Sequence, residues 1–391
     1  MINNHNVNVI IDGNYLFHRC IGVIDWALFK DPDFLVFQDK KTRDVLKKAL
    51  YKQFISFFKN HEDKLTYRRI IFVSDARSWR YDIYPEYKAG RAKSRDPNLD
   101  YSELSSIIEE FVAELPDCII KSNIPKLEGD DEIYLYGNYI YNVLNENVVI
   151  LASDVDLTQL VKTNLSKEKY IAHYNINGDG KVTVTNDFEE YVKSIVVPPF
   201  NIFEVSDTTN NKFVNSIVNN DTTVYINPIE IVIDKLIGVD TSDNIKNLWT
   251  GLGKKTIERF MTQLNERNFD YHKLIKNLMT FEDKYYIEFI EMLNDFCKVT
   301  RYARTYKMDI SEIVTHLKMD LRLVYISHEF YPRDSLKIFS RLIKGNILDN
   351  INPKLDLNEK VDVNVSTHNM FKSISKIEEL RNSTSNEPYT N

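Results

Sequence analysis

The chain has 391 residues, 43% of them hydrophobic and 27% charged, with a formal net charge of −7. That is an ordinary globular composition, long enough for one large domain or two smaller ones with a substantial core. No apolar run reaches the roughly 18 residues of a membrane span, and the start M-I-N-N-H-N lacks the basic stretch and apolar core of a secretory signal. Cys20, Cys118 and Cys297 lie far apart without a CxxC pair. A disulfide framework or zinc site is therefore not expected, and a cytoplasmic location is. Taken alone, the negative charge argues against a polyanionic partner, but the distribution of charge matters more than its sum.

In chain order, Val7 to Asn14 reads as a buried strand ending in a polar turn, followed by a helix through Phe17 and Trp26. Arg43 to Lys59 has helical apolar spacing at Val45, Ala49, Phe54 and Phe58. R-R-I-I-F-V-S-D is a second short apolar run, ending in Asp75. Glu128 to Leu144 reads as a helix, N-V-V-I-L-A-S-D as a third strand ending in Asp154, and D-L-T-Q-L-V as the start of another helix. Strands alternating with helices predict an α/β fold around a parallel sheet. From Lys167 to Ile237 the pattern weakens: H-Y-N-I-N-G-D-G-K-V-T-V reads as a hairpin, and an Asn-rich stretch reads as an exposed insertion, at about 198–228. The chain is then mainly helical to Leu348. From Asn352 it is polar and reads as a mostly disordered tail, with one short helix from Asn369 to Arg381.

Ligands of parallel sheets bind outside the carboxyl ends of the strands, and Asp12, Asp75 and Asp154 each follow a predicted strand. Further acids cluster as Glu128, Asp130 and Asp131 in E-G-D-D, Asp156 in S-D-V-D, and Asp240 and Asp243 in D-T-S-D-N. Singly, an Asp after a strand is a cap or turn residue. As a set, crowded carboxylates repel one another and persist where cations neutralise them. All-oxygen ligands select hard ions such as Mg²⁺ or Mn²⁺, and two such ions about 4 Å apart promote phosphodiester hydrolysis.

Between Arg77 and Arg95 six basic residues (Arg77, Arg80, Lys88, Arg91, Lys93, Arg95) face two acidic ones, with Trp79, Tyr84 and Tyr87 interleaved. Cations neutralise phosphates and aromatic faces stack on unpaired bases; a solvated loop accounts for the charges but not for the aromatics. G-L-G-K-K-T, with Gly251, Gly253, Lys254 and Lys255, leads into a helix whose N-terminus attracts anions, although alone it is also a simple turn. N-I-N-G-D-G-K-V mimics half of a calcium-binding EF-hand loop, but position twelve is Asn186 rather than the required Glu, so a β-turn is the better reading.

In this order the motifs resemble the flap endonuclease and bacteriophage 5′-nuclease family: a strand-end Asp, an Asp before a basic Y-P-x-Y-K-x-x-R arch, E-x-D-D, D-x-D, D-x-x-D-N and a G-x-G hairpin. The resemblance covers about Val9 to Met261. Two departures are visible: Val239 stands where the family has Gly before its last acidic motif, and the stretch from Asn244 to Gly253 is one residue longer. The resemblance implies a PIN-like parallel sheet flanked by helices with a helical arch, and a C-terminal helical region containing a helix–three-turn–helix motif. It divides the chain into a nuclease domain over 1–237 with its arch at about 77–100, a helical DNA-binding region over 238–350, and a tail over 351–391.

It further implies that Asp12, Asp75, Asp131 and Asp154 surround a first metal, with Glu128 and Asp130 close by. Asp156, Asp240 and Asp243 form a second cluster. Lys88 and Arg91 contact the scissile phosphate with Arg80 as helper, while Arg77, Tyr84, Tyr87, Lys93, Arg95, Gly251, Gly253, Lys254 and Lys255 bind DNA. The implied protein is a monomeric stand-alone nuclease of the kind phages encode, working in a host cytoplasm with two Mg²⁺ ions, for which Mn²⁺ substitutes. Its substrate is DNA with a 5′ flap or end, or RNA–DNA hybrid, and its tail would dock a replication clamp or single-strand-binding protein. The alternatives are a PIN-type RNA endonuclease, which lacks the arch and hairpin, and a DNA-junction binding module without catalysis.

Overall fold

The computed structural model describes residues 7–23, 40–61, 67–94, 101–164, 169–175, 182–185, 196–197, 200–201, 223–226, 228–238, 240, 242–245, 253–280, 285–299 and 310–349. The expected tail and its short helix, the tip of the hairpin and most of the insertion lie outside these residues.

Contacts divide the chain into two compact units. The larger contains the sheet. β1 (Val7–Asp12) is buried along its whole length, as an uninterrupted apolar run requires. It pairs in parallel with β2 (Tyr67–Val73) on one side and β4 (Asn147–Ala152) on the other. β2 continues in parallel to β3 (Ile120–Ser122), and β4 to β6 (Lys169–Asn175). The strand order β3-β2-β1-β4-β6 therefore reverses at β1, which opens a crevice between the C-terminal ends of β1 and β4.

The hairpin is realised by β6 and β7 (Val182–Thr185), antiparallel through His173–Thr183 and Tyr174–Val182. Part of the expected insertion is strand: β10 (Thr223–Ile226) adds to β7 in parallel, and β9 (Phe200–Asn201) pairs with β8 (Val196–Val197), which lies just before it. The helix expected after Asp154 is instead a 3₁₀ turn, Val155–Leu160. The chain then turns into β5 (Lys162–Asn164), antiparallel to β6, because Val161, Lys162 and Thr163 offer an edge-strand pattern rather than a helical stripe. β3 was not anticipated; three residues carry no periodicity.

Helices cover the sheet. The one over its centre (Gly129–Asn142) is buried along most of its length, and its glycine at 137 brings the backbone close to Ile10 and Ile171. After the strands, helices Pro228–Ile237, Lys254–Glu266, Tyr271–Thr280, Tyr285–Val299, Ile310–Val324 and Arg333–Lys344 belong to the same unit as the sheet. They close on an apolar core that includes Phe260, Leu264, Leu274, Phe289, Leu317 and Phe339. The smaller unit contains residues 16–61 and 96–115. In it helices Lys40–His61 and Tyr101–Glu114 pack Leu50, Phe54 and Phe58 inside and are laced by Arg43 on Glu103 (2.7 Å) and Glu110, and by Lys47 on Glu114 (2.5 Å).

One buried cation makes the sheet unit pH-sensitive. Lys162 donates to Asn138 Oδ1 at 2.5 Å and lies beside the Tyr141 ring. Its partner is a neutral amide, and burial followed by the charge of Lys169 pushes it down to about 7. A lysine depressed in the folded state costs stability where the fold must hold it charged. That cost is full below about 7 and vanishes above the unfolded value of about 10.4. Lys162→Met should therefore raise the melting temperature near neutral pH, and the gain should shrink as pH climbs toward about 10. Calorimetry across that range checks it, and a pH-independent gain would assign the effect to packing.

Candidate active site

The crevice is lined by carboxylates that arrive from separate elements. Asp12 ends β1, Asp75 follows β2, Asp130 lies in the first turn of the helix Gly129–Asn142, and Asp154 follows β4. Tyr15 N–H donates to Asp12 Oδ1 at 3.1 Å. Gly129 N–H donates to Asp75 Oδ1 at 2.6 Å, and the Asn14 amide donates to Asp75 Oδ2. Gly129 gives Asp75 room here: a Cβ on it would lie 3.0 Å from Asp75 Oδ1 and 3.8 Å from Asp12 Oδ1, so the carboxylate would have to shift.

Three of these acids feel their neighbours' charge. Burial, then Asp75 and Asp154, raise Asp12 to about 7. Burial, then Asp154 and Asp12, push Asp130 well above the usual carboxylate range. The protein packed around Asp75, and then the charge of Glu128, raise Asp75. Among the described residues none of the four forms an ion pair. An all-oxygen, mutually repelling set of this kind fits a hard divalent cation.

Asp131 stands apart. The expectation that it joins Asp12, Asp75 and Asp154 does not match its orientation: it is fully buried and accepts both guanidinium nitrogens of Arg80 at 2.9 Å each. Asp130 takes the rim position instead. Arg80, expected as a helper at the phosphate, is itself 3% exposed and also donates to Glu128 Oε2 at 2.9 Å and to the Leu323 carbonyl at 3.0 Å. Glu128 further accepts from Ser78 Oγ at 3.0 Å and from Lys88 Nζ. Burial opposes its charge, yet Lys88 and Arg80 together hold it below its ordinary value.

A second group lies beside the first. Asp156, Asp240 and Asp243 each bring an oxygen within 4.8 Å of the others and are placed to hold a metal ion. Asp240 Oδ1 accepts the backbone N–H of Ser242 (3.0 Å) and Asp243 (3.2 Å) and the Ser242 hydroxyl (2.5 Å), which fixes the D-T-S-D turn. Asn244 follows with φ 59°, a conformation Asn tolerates. Its amide donates to the Glu86 carbonyl at 2.9 Å, and Asp243 O accepts the Lys88 N–H at 3.0 Å. The last acidic motif thus clasps the Y-P-E-Y-K segment directly. Gly238, one place before the family's glycine, caps the preceding helix, where a Cβ would lie 2.5 Å from Asp234 O.

Lys88 has φ 56°, unusual for a side chain of its type and held by that clasp. It precedes the short helix Ala89–Ser94 rather than sharing it with Arg91. The two cations nevertheless reach the same crevice, Lys88 on Glu128 and Arg91 Nη2 on Asp243 Oδ1 at 2.9 Å. The interleaved aromatics are not free faces for bases. Trp79 and Tyr87 are buried, with the Tyr87 hydroxyl 3.0 Å from Glu128 Oε2 and 3.1 Å from Asp243 Oδ2. Tyr84 is half-buried and donates to the Asn244 carbonyl at 3.1 Å. Arg77 is exposed and paired with Asp82 at 3.1 Å. Gly253 precedes the helix Lys254–Glu266 in open space, with Lys254 and Lys255 exposed in its first turn. Gly251, Arg95 and the Lys93 side chain lie outside the described residues. Sequence reading missed Ser78, Asn14 and Lys235, which touch these acids; none belongs to an acidic motif or to the basic segment's charges.

Residues 8–191 match the family described as 5′-3′ exonuclease, N-terminal resolvase-like domain. The likeness to that domain spans just under half of the chain. A 5′-3′ exonuclease of Mycoplasmopsis pulmonis (strain UAB CTIP) is 22% identical over 272 residues, 67% of this chain and 69% of that protein. Among solved structures, the bacteriophage T5 D15 protein co-crystallised with metal ions is similar at TM-score 0.47 and 15% identity, covering 88% of this chain and 96% of its own. T5 5′-exonuclease with bound zinc is similar at TM-score 0.48 and 14% identity, covering 88% and 99%. Among the described residues no helix is long and apolar enough to cross a membrane.

Proposed function

We propose that this chain is a structure-specific 5′ nuclease that hydrolyses phosphodiester bonds of DNA, or of RNA paired to DNA, near a free 5′ end or flap. The observation that carries the reading is the four-carboxylate crowd of Asp12, Asp75, Asp130 and Asp154 at the sheet's switch point, with the Asp156–Asp240–Asp243 trio beside it. Two Mg²⁺ ions, or Mn²⁺ in their place, would supply water activation and stabilisation of the leaving oxygen.

The chain's own groups do the rest. Asp12, Asp75, Asp130 and Asp154 would hold the first ion and Asp156, Asp240 and Asp243 the second. Asp131, Arg80, Ser78 and Tyr87 keep Glu128 and the helix start in register. Lys88 and Arg91, each resting on one carboxylate, transfer to the scissile phosphate when it enters. Arg91, with a half-exposed side chain, lies nearer solvent than Lys88. Arg77, Lys93 and Arg95 would track the strand beyond the cut. The loop ending at Gly253, with Lys254 and Lys255, would grip the duplex backbone through a helix N-terminus. The tail after Asn352 is the segment we assign to a replication partner such as a clamp or single-strand-binding protein, and we expect the nuclease to act as a monomer.

The test is a labelled set of 5′-flap, nicked, blunt and RNA–DNA substrates with Mg²⁺ or EDTA. Mg²⁺-dependent cutting near the 5′ end is the expected result. Tight Mg²⁺-independent binding without cutting would replace the reading with a junction-binding module.

A further inference from the structure

The acids around the crevice fall into two electrostatic classes. Asp12, Asp75, Asp130 and Asp154 have no basic group in contact among the described residues, although the charge of Lys88 reaches Asp75 and Asp130, whereas the trio has a lysine in contact. Lys235, in the last turn of the helix Pro228–Ile237, sets its ammonium between Asp156 Oδ2 and Asp240 Oδ2, the latter at 2.6 Å. Those are two of the three carboxylates whose oxygens lie within 4.8 Å of one another, so the ammonium stands at the edge of the space an ion would use. Its side chain is 19% exposed and bridges the two acids. Asp240 is in turn tied by Ser242 and Asp243 N–H groups, so it cannot turn away to escape the lysine.

We propose that Lys235 is the resident cation of the Asp156–Asp240–Asp243 site, so that a divalent ion must share or displace it and binds there more weakly than among the four unpaired acids. This rests on the metal-nuclease reading above. Affinity for hard divalent ions follows the charge of the ligand set, and one ammonium lowers the trio's formal charge from three negative to two. A lysine suits this role because its compact charge sits on a flexible stem and can swing aside without breaking the fold. The consequence is ordered loading, in which the second ion arrives once substrate phosphate offers Lys235 another anion.

The experiment titrates metal-free full-length protein with Mn²⁺ and reads free Mn²⁺ by electron paramagnetic resonance, independently of activity. Wild type should show a tight and a weak class. Lys235→Met should tighten the weak class on the order of tenfold and leave the tight class unchanged, and Lys235→Arg should keep it weak. Without metal, Lys235→Met should melt below wild type, and saturating Mn²⁺ should remove the difference. Lys235→Gln carries the same measurement if the Met variant does not fold. A weak class unchanged or weakened in both neutral variants, with the tight class intact, overturns the role of Lys235. No Mn²⁺ bound to wild type at either class overturns the metal-nuclease reading itself.

Discussion

Lys88→Ala should lower the single-turnover cleavage rate on the order of 10²-fold or more, while DNA affinity falls only modestly. The ammonium is held by two constraints, a backbone at φ 56° clasped by the Asp243 carbonyl and a side chain resting on Glu128. A fixed cation at this position meets charge as it develops on the phosphate, and so lowers the barrier more than it strengthens ground-state binding. Arg91, Arg77 and the Gly253 helix start would still hold the backbone. Glu128 keeps Arg80, Ser78 and Tyr87 as partners, so the variant should melt close to wild type. Cleavage at saturation and binding in Ca²⁺, measured on the same flap, separate the two effects. Collapsed affinity with an unchanged rate at saturation would make Lys88 a docking residue.

Asp130→Asn and Asp131→Asn, one residue apart, should fail in different ways. Asp131 takes both terminal nitrogens of a guanidinium that is itself buried; breaking a buried pair costs about 3–5 kcal/mol, and Glu128, left as the guanidinium's one carboxylate, offsets only part of it. Asp131→Asn should therefore melt far below wild type with or without metal. Asp130 is crowded by Asp154 and Asp12, so neutralising it relieves repulsion. Asp130→Asn should melt at or above wild type in EDTA, lose the stabilisation that Mn²⁺ gives the native protein, and cut no substrate. Thermal melts in EDTA and in Mn²⁺ decide this. An Asp131→Asn protein that melts like wild type but binds no metal would return Asp131 to the ligand set.

The contrast between these two residues marks the limit of what the chain's order of residues conveys. Apolar runs ending in Asp12, Asp75 and Asp154 were legible as strands with acids at one rim, because a buried parallel strand needs an unbroken apolar run and its C-terminal turn does not. The D-x-x-D-N spacing likewise announced its turn, since Asp240 caps its own loop and Asn244 takes the left-handed conformation locally. Adjacent residues on a helix point about 100° apart, so which of Asp130 and Asp131 faces the crevice depends on what packs against that helix. The deciding group is Arg80, itself buried because Leu323, near the other end of the chain, accepts its Nε–H. The same holds for Tyr87 and Trp79, which read as stacking faces in a basic segment and are buried, Tyr87 against Glu128 and Asp243 and Trp79 beside Tyr331. It holds for Lys235 too, whose position five residues before Asp240 carries no signal until Asp156 arrives from the 3₁₀ turn after β4. Local backbone chemistry placed the acids at the rim; only long-range packing decided which of them face a cation from solvent and which are already paired with one from the protein.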